Sequence, residues 1–204
     1  MPYDVTIITV KPNTHGKALP NVQQWLKSSP RKGEFLACWA TDIGDLNKIM
    51  LLHHYADEGA LAADRESIAK ERNAYGCVDL IVGTSTDTFV QFPFLAALKP
   101  GQFGPVFEVR TYLLKPNGLA PTLSAWEGSV PGRQKLSPVL AAMYSVTGAT
   151  TRFMHIWPYP SLEVRAATRK TAVETGVWPP PGGPDHLISM RNDIYLPAPF
   201  SPIR

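Results

Sequence analysis

Phe107-Glu108-Val109-Arg110-Thr111-Tyr112-Leu113-Leu114-Lys115-Pro116-Asn117 is a β-branched and aromatic run closed by a turn tripeptide. The same pattern stands 104 residues earlier, where Tyr3-Asp4-Val5 is followed by Lys11-Pro12-Asn13. The offset of 104 recurs at Gly44/Gly148, Met50/Met154, Tyr55/Tyr159, Arg65/Arg169 and Pro93/Pro197. One constant spacing over most of a unit predicts a duplication without gaps, and a period this long means two domain-sized copies rather than a solenoid. The seam falls at Lys99-Pro100-Gly101-Gln102-Phe103-Gly104-Pro105, whose glycines and prolines make a short connector. The division expected is an N-terminal repeat over 1–98, a linker over 99–105 and a C-terminal repeat over 106–204.

Both copies read alike. Tyr3–Val10 and Phe107–Leu114 are strand-like, and a helix follows each. Leu119, Leu123, Trp126 and Val130 share one helical face, with Pro121 early enough for a first turn. Leu19, Val22, Trp25 and Leu26 match them in the first copy, where Pro20 blurs the helix start. Strands are expected around Glu34–Thr41 and Pro138–Ser145, then at Lys48–Tyr55 and Arg152–Tyr159. A second helix starts in its better example at the N-cap Ser161, with Glu163 in the first turn, and runs through Ala172. A last strand is expected near Asp87–Phe92 and Asn192–Leu196. The order β-α-β-β-α-β, twice, is that of a ferredoxin-like α+β unit. Such a unit covers one sheet face with helices, and two units can bury their bare faces against each other.

The composition of the 204 residues is globular: 44% hydrophobic, 18% charged and 10% aromatic. Twenty Lys and Arg against seventeen Asp and Glu leave a charge of +3, too weak a balance to suggest nucleic acid. That charge is uneven. Residues 1–106 hold ten basic and eleven acidic groups, residues 107–204 ten and six. Cys38 and Cys77 fit a reducing interior better than a disulfide scaffold, although one bridge stays open on spacing alone. Met1-Pro2-Tyr3-Asp4 has neither a basic nor an apolar leader region, and no segment approaches a bilayer span. The expectation is a soluble, cytoplasmic chain that associates as a homodimer or higher homo-oligomer.

His-Glu-x-x-His, Cys-x-x-Cys, Walker and Gly-x-Ser-x-Gly patterns do not occur. The connector lacks the third glycine of a dinucleotide loop, and Pro105 opposes a helix start there. No nucleotide or metal cofactor is suggested. His53-His54 is not a chelating pair, because neighbours on a strand point to opposite faces, though one of them could still be a proximal haem ligand.

Phe107–Pro116 resembles the opening strand motif of the NIPSNAP family. His155-Ile156-Trp157-Pro158-Tyr159-Pro160-Ser161-Leu162-Glu163, with Arg165 and Arg169, resembles its second signature. Trp178 and the closing Leu196-Pro197-Ala198-Pro199-Phe200-Ser201-Pro202 are also similar to the family pattern, and the resemblance is stronger in the C-terminal half. It implies a dimeric α+β barrel, akin to small cofactor-free monooxygenases, chlorite dismutases and muconolactone isomerases, here built from two tandem repeats. Animal members are described as mitochondrial or vesicle-associated interaction proteins. Related barrels bind small apolar or aromatic molecules, and some bind haem.

Differences between the copies single out a candidate site. His155 and Trp157 stand where the first copy has Leu51 and His53, and Arg110 and Tyr112 where it has Thr6 and Ile8. Alternation puts His155, Trp157 and Tyr159 on one face of their strand, and Arg110 and Tyr112 on one face of theirs. In a ligand-binding reading Arg110 and Arg169 hold an anionic oxygen and His155 transfers a proton near neutral pH. Tyr112, Trp157, Tyr159 and Trp178 then supply the walls of a barrel cavity for an aromatic or enolisable compound. Against this, a His-x-Trp-x-Tyr face is also ordinary packing, and the recurrence of Arg65/Arg169 and Tyr55/Tyr159 fits structure, with the arginines paired to Asp4 and Glu108. Trp178–His186 has no counterpart in the first copy, where Asn73–Asp79 stands, and reads as an exposed loop or as a lid over the barrel mouth. A non-catalytic interaction protein is the alternative; it predicts no buried polar cavity.

Overall fold

In the computed structural model, which describes residues 1–28, 31–148 and 150–204, each copy runs β-α-β-β-α-β. The first contains β1 (Pro2–Val10), α1 (His15–Ser28), β2 (Glu34–Ile43), β3 (Lys48–His54), α2 (Glu58–Lys70) and β4 (Ile81–Gln91). The second contains β5 (Val106–Leu114), α3 (Leu119–Gln134), β6 (Ala141–Ser145), β7 (Arg152–Tyr159), α4 (Leu162–Glu174) and β8 (Leu187–Pro197). The final strands are longer than expected and β6 is shorter, starting at Ala141 rather than Pro138.

Local chemistry repeats with the fold. Asn13 and Asn117 end the Lys-Pro-Asn turns with φ near +60°, a left-handed conformation asparagine tolerates. The lysines of those turns act alike, Lys11 Nζ donating to the Asp79 carbonyl at 2.7 Å and Lys115 Nζ to that of Asp185 at 2.8 Å. Asp57 caps α2 by accepting from Ala60 N–H, and Ser161 caps α4 by accepting from Val164 N–H.

The eight strands close into one antiparallel barrel within the single chain, in the order β1-β3-β2-β8-β5-β7-β6-β4. Two seams join the repeats: β4 pairs with β6 from Phe89↔Ser145 to Gln91↔Met143, and β2 pairs with β8 from Trp39↔Pro197 to Ile43↔Ile194. The bare faces that a lone repeat would expose thus form the barrel interior. Val5, Trp39, Met50, Phe107, Val109 and Met154 meet there, and the Trp39 and Phe107 rings stack across the repeats at 4.3 Å. The helices pack on the outside, so the alternate residues of each strand face them: Asp4, Thr6 and Ile8 on β1, and Glu108, Arg110 and Tyr112 on β5. The connector is tied to the chain end, with Gly101 N–H donating to the Pro202 carbonyl and Arg204 N–H to that of Gly101.

One alignment needs correction. Tyr3 pairs with Phe89, and its counterpart Phe107 pairs with Tyr195, so the offset has grown to 106 at the last strand. The duplication is therefore not free of gaps. Pro93 corresponds to Pro199 rather than Pro197, and two extra residues lie between α4 and β8.

Candidate functional site

Strand alternation turns Arg110 and Tyr112 of β5, and Phe153 and His155 of β7, outward beneath α3 and α4. Helix α3 lays Trp126 over them: its ring meets those of Phe153 at 4.7 Å and His155 at 4.8 Å. The segment after α4 folds back, Trp178 N–H donating to the Ala172 carbonyl, and sets Trp178 edge-on against Trp126 at 4.7 Å. Between these elements lies a cavity of about 250 Å³, walled by Tyr112, Trp126, Phe153, His155, Trp178 and Pro180, with Arg110 and Arg169 as its cations. The site thus lies between the sheet and its helices, not inside the barrel. The Trp178–Pro184 segment is correspondingly a wall of this cavity and not a cover over the barrel mouth.

Charge is distributed unusually around it. Glu108 is fully buried, and its Oε1 faces three guanidiniums: Arg165 at 2.6 Å, Arg110 at 3.2 Å and Arg169 at 3.7 Å. Its Oε2 has no partner. Arg110 also donates through Nε to the Tyr112 hydroxyl. Three positive charges on one carboxylate leave an excess of positive potential at the cavity wall, where low polarizability strengthens it. Burial lowers the tendency of Arg169 to hold its proton, and Glu108 counters this.

His155 is 2% exposed, and Trp157 Nε1 donates to its Nδ1 at 2.6 Å. An accepting Nδ1 requires that a neutral imidazole carry its proton on Nε2. Burial, then the charges of Arg110, Arg169 and Arg133, hold the His155 pKa well below its usual value. Nε2 has no hydrogen-bond partner. The cations around His155 oppose a further proton and Trp157 occupies Nδ1, which leaves Nε2–H as the open donor of the neutral ring.

A family model described as NIPSNAP matches this chain twice, over residues 3–94 and 107–202. The chain belongs to the NIPSNAP family. Both halves match, including the first, whose motifs are weaker. A NipSnap homolog of Dictyostelium discoideum is 26% identical over 149 residues, covering 70% of this chain and 65% of its own length. The human NipSnap homolog 3B is 23% identical over 212 residues, covering 99% of this chain and 85% of its own. The fold is shared with an anthrone oxidase-like protein at a TM-score of 0.68 and 11% identity, over 97% of this chain and 91% of that one. A candidate monooxygenase from Lactobacillus acidophilus NCFM superposes at 0.63 and 10% identity, over 96% and 93%.

In this NIPSNAP chain Arg110, Tyr112, His155, Arg169 and Trp178 line one cavity. Trp157 lies behind it, orienting His155 and meeting the Trp178 ring at 5.5 Å. Tyr159 stands outside; its hydroxyl accepts from Arg133 Nη2 at 3.0 Å in the core. Arg133, which also stacks over Trp157 at 4.4 Å, was not anticipated. Its signal was a basic residue at i+7 from Trp126 on the apolar helix face. Cys38 and Cys77 are free and buried. Among the described residues no His, Cys, Asp and Glu side chains cluster as a metal site, and no helix is long and apolar enough to cross a membrane.

Proposed function

We propose that the second repeat binds a small aromatic molecule bearing an anionic oxygen, a carboxylate, enolate or phenolate, in the cavity under α3 and α4. The observation that carries this reading is the shared carboxylate: Glu108 balances one of three guanidiniums, and Arg110 and Arg169 reach the cavity wall. Arg169 and Arg110 hold the oxygen as charge-assisted donors. His155 Nε2–H, which has no partner of its own, gives a further hydrogen bond. Tyr112, Trp126, Phe153 and Trp178 sandwich the rings. Donors preorganised around an anionic oxygen in a dry site lower the cost of ionising an enol or phenol. The reaction class favoured is proton-transfer isomerisation or, with dioxygen as co-substrate, oxygenation through that anion. The interaction-protein alternative predicts no buried polar cavity, and a cavity of about 250 Å³ supports the ligand reading over it.

Tryptophan quenching tests the reading, since Trp126 and Trp178 touch the cavity. 2-Naphthoate is expected to bind at least about tenfold tighter than 2-naphthalenemethanol, a difference of about 1.4 kcal/mol. Arg169→Ala removes that preference and Arg65→Ala leaves it. Equal affinity for the two probes, or no quenching by either, would overturn it.

A further inference from the structure

The first repeat has its own cavity at the equivalent place, about 400 Å³ between the outer sheet face and α1 and α2. Its chemistry differs. Arg65 is engaged on two nitrogens: Nε donates to Asp4 Oδ2 and Nη2 to Asp4 Oδ1, each at 2.8 Å, and Nη2 also to Thr88 Oγ1 at 2.7 Å. Glu71 accepts from Trp25 Nε1 at 2.6 Å and pairs with Arg31. Two carboxylates and two guanidiniums therefore balance in the wall, so an anion meets Asp4 and Glu71 and a cation meets Arg31 and Arg65.

What remains is a row of hydroxyls. Thr6 and Thr86 bond to each other through Oγ1 at 2.9 Å, Thr84 continues the row along β4, and Tyr75 lines the same cavity. Tyr75 lies beside Trp25, ring centroids 5.0 Å apart, and takes φ +61°, a left-handed conformation that costs an aromatic residue of order 1 kcal/mol or more. Beside them His53 is only 7% exposed, lines the same cavity, and its Nε2 has no partner. A buried polar nitrogen without a partner is costly unless a ligand or water serves it.

We propose that the first repeat binds, in this cavity, a small uncharged hydroxyl-bearing molecule of monosaccharide or cyclic-polyol size. Its hydroxyls bond to the threonine row and to His53, and its C–H faces lie against Trp25 and Tyr75. Balanced charge rejects the anions that the second repeat favours, and the inference is independent of what the second repeat binds.

The test titrates the ¹⁵N-labelled full chain with myo-inositol and D-glucose, and with glucose 6-phosphate as the charged counterpart, following the tryptophan indole N–H signals. The Trp25 signal is expected to move saturably with a neutral probe while those of Trp126 and Trp178 stay. Thr84→Trp blocks the cavity from an exposed position, and Thr6→Val removes one hydroxyl while keeping its shape. Each is expected to weaken the shift at least about tenfold with the chain still folded, Thr84→Trp leaving thermal unfolding unchanged and Thr6→Val lowering the Tm by no more than about 10 °C. No saturable Trp25 shift up to about 50 mM of either neutral probe would overturn the proposal. Equal or tighter binding of the phosphate, or a shift that survives Thr84→Trp, would overturn it as well.

Discussion

Asp4 and Glu108 hold the same place in the two repeats, outward on the first strand beneath a helix. Asp4 meets one arginine in a two-pronged pair, and Thr88 donates a third hydrogen bond. Glu108 meets three, because Arg110 and Arg165 stand where the first repeat has Thr6 and Leu61, while Arg169, the equivalent of Arg65, has drawn back to 3.7 Å. Thr88 is matched by Ile194, so its hydroxyl is lost too. The difference teaches that duplication kept the acid at this position and let its electrostatic surroundings diverge. A paired carboxylate closes a charge account locally; a shared one leaves potential for a ligand.

The largest effect that sharpens this contrast is removal of the two acids. Glu108→Gln leaves three guanidiniums around a buried amide and is expected to cost about 3–5 kcal/mol in urea unfolding. Asp4→Asn removes the partner of an arginine that is a third exposed, and is expected to cost about 1–3 kcal/mol. Equal losses would break the distinction.

Acid comes next, and here the repeats should agree in sign. Burial, the largest cause, pushes the His53 pKa down to about 4, with Asp64 and Asp4 opposing and Arg31 reinforcing the shift. His155 is likewise held low. A histidine kept neutral by the fold is protonated first in the unfolded chain, so its stabilisation is complete above its ordinary pKa of about 6.5 and is lost as pH falls. His53 alone is expected to remove about 2 kcal/mol between pH 7 and pH 5, and His53→Gln to flatten that slope in calorimetry.

The arginines give a smaller, opposite asymmetry. Arg65→Ala strands the buried Asp4 carboxylate and is expected to cost about 1–2 kcal/mol. Arg169→Ala leaves Arg110 and Arg165 on Glu108 and should cost under about 0.5 kcal/mol, both read from denaturant midpoints. Smallest are the turn lysines. Lys11→Met and Lys115→Met each delete one exposed hydrogen bond to a carbonyl, and each is expected to lower the Tm by about 1–2 °C. Unequal shifts would mean that the turns are not the shared scaffold they look to be.

Much of this is legible in the chain itself. The offset from Tyr3 to Phe107, the turn tripeptides and the cap at Ser161 are local signals. They determine the repeat, the strand periods and the helix starts, because side-chain sterics and backbone hydrogen bonding act over a few residues. Alternation also determines that Arg110 shares a face with Tyr112, and His155 with Trp157. Only the tertiary structure decided which side of the sheet that face turns to, since both sides of a barrel strand can be apolar. It alone brought Trp126 and Arg169 to the same cavity from two helices, set Arg165 on Glu108, and placed Arg133 behind the cavity against Trp157. It also set the surroundings that hold the His155 pKa low, because burial and three neighbouring arginines come from distant parts of the chain and no property of the residue itself foretells them.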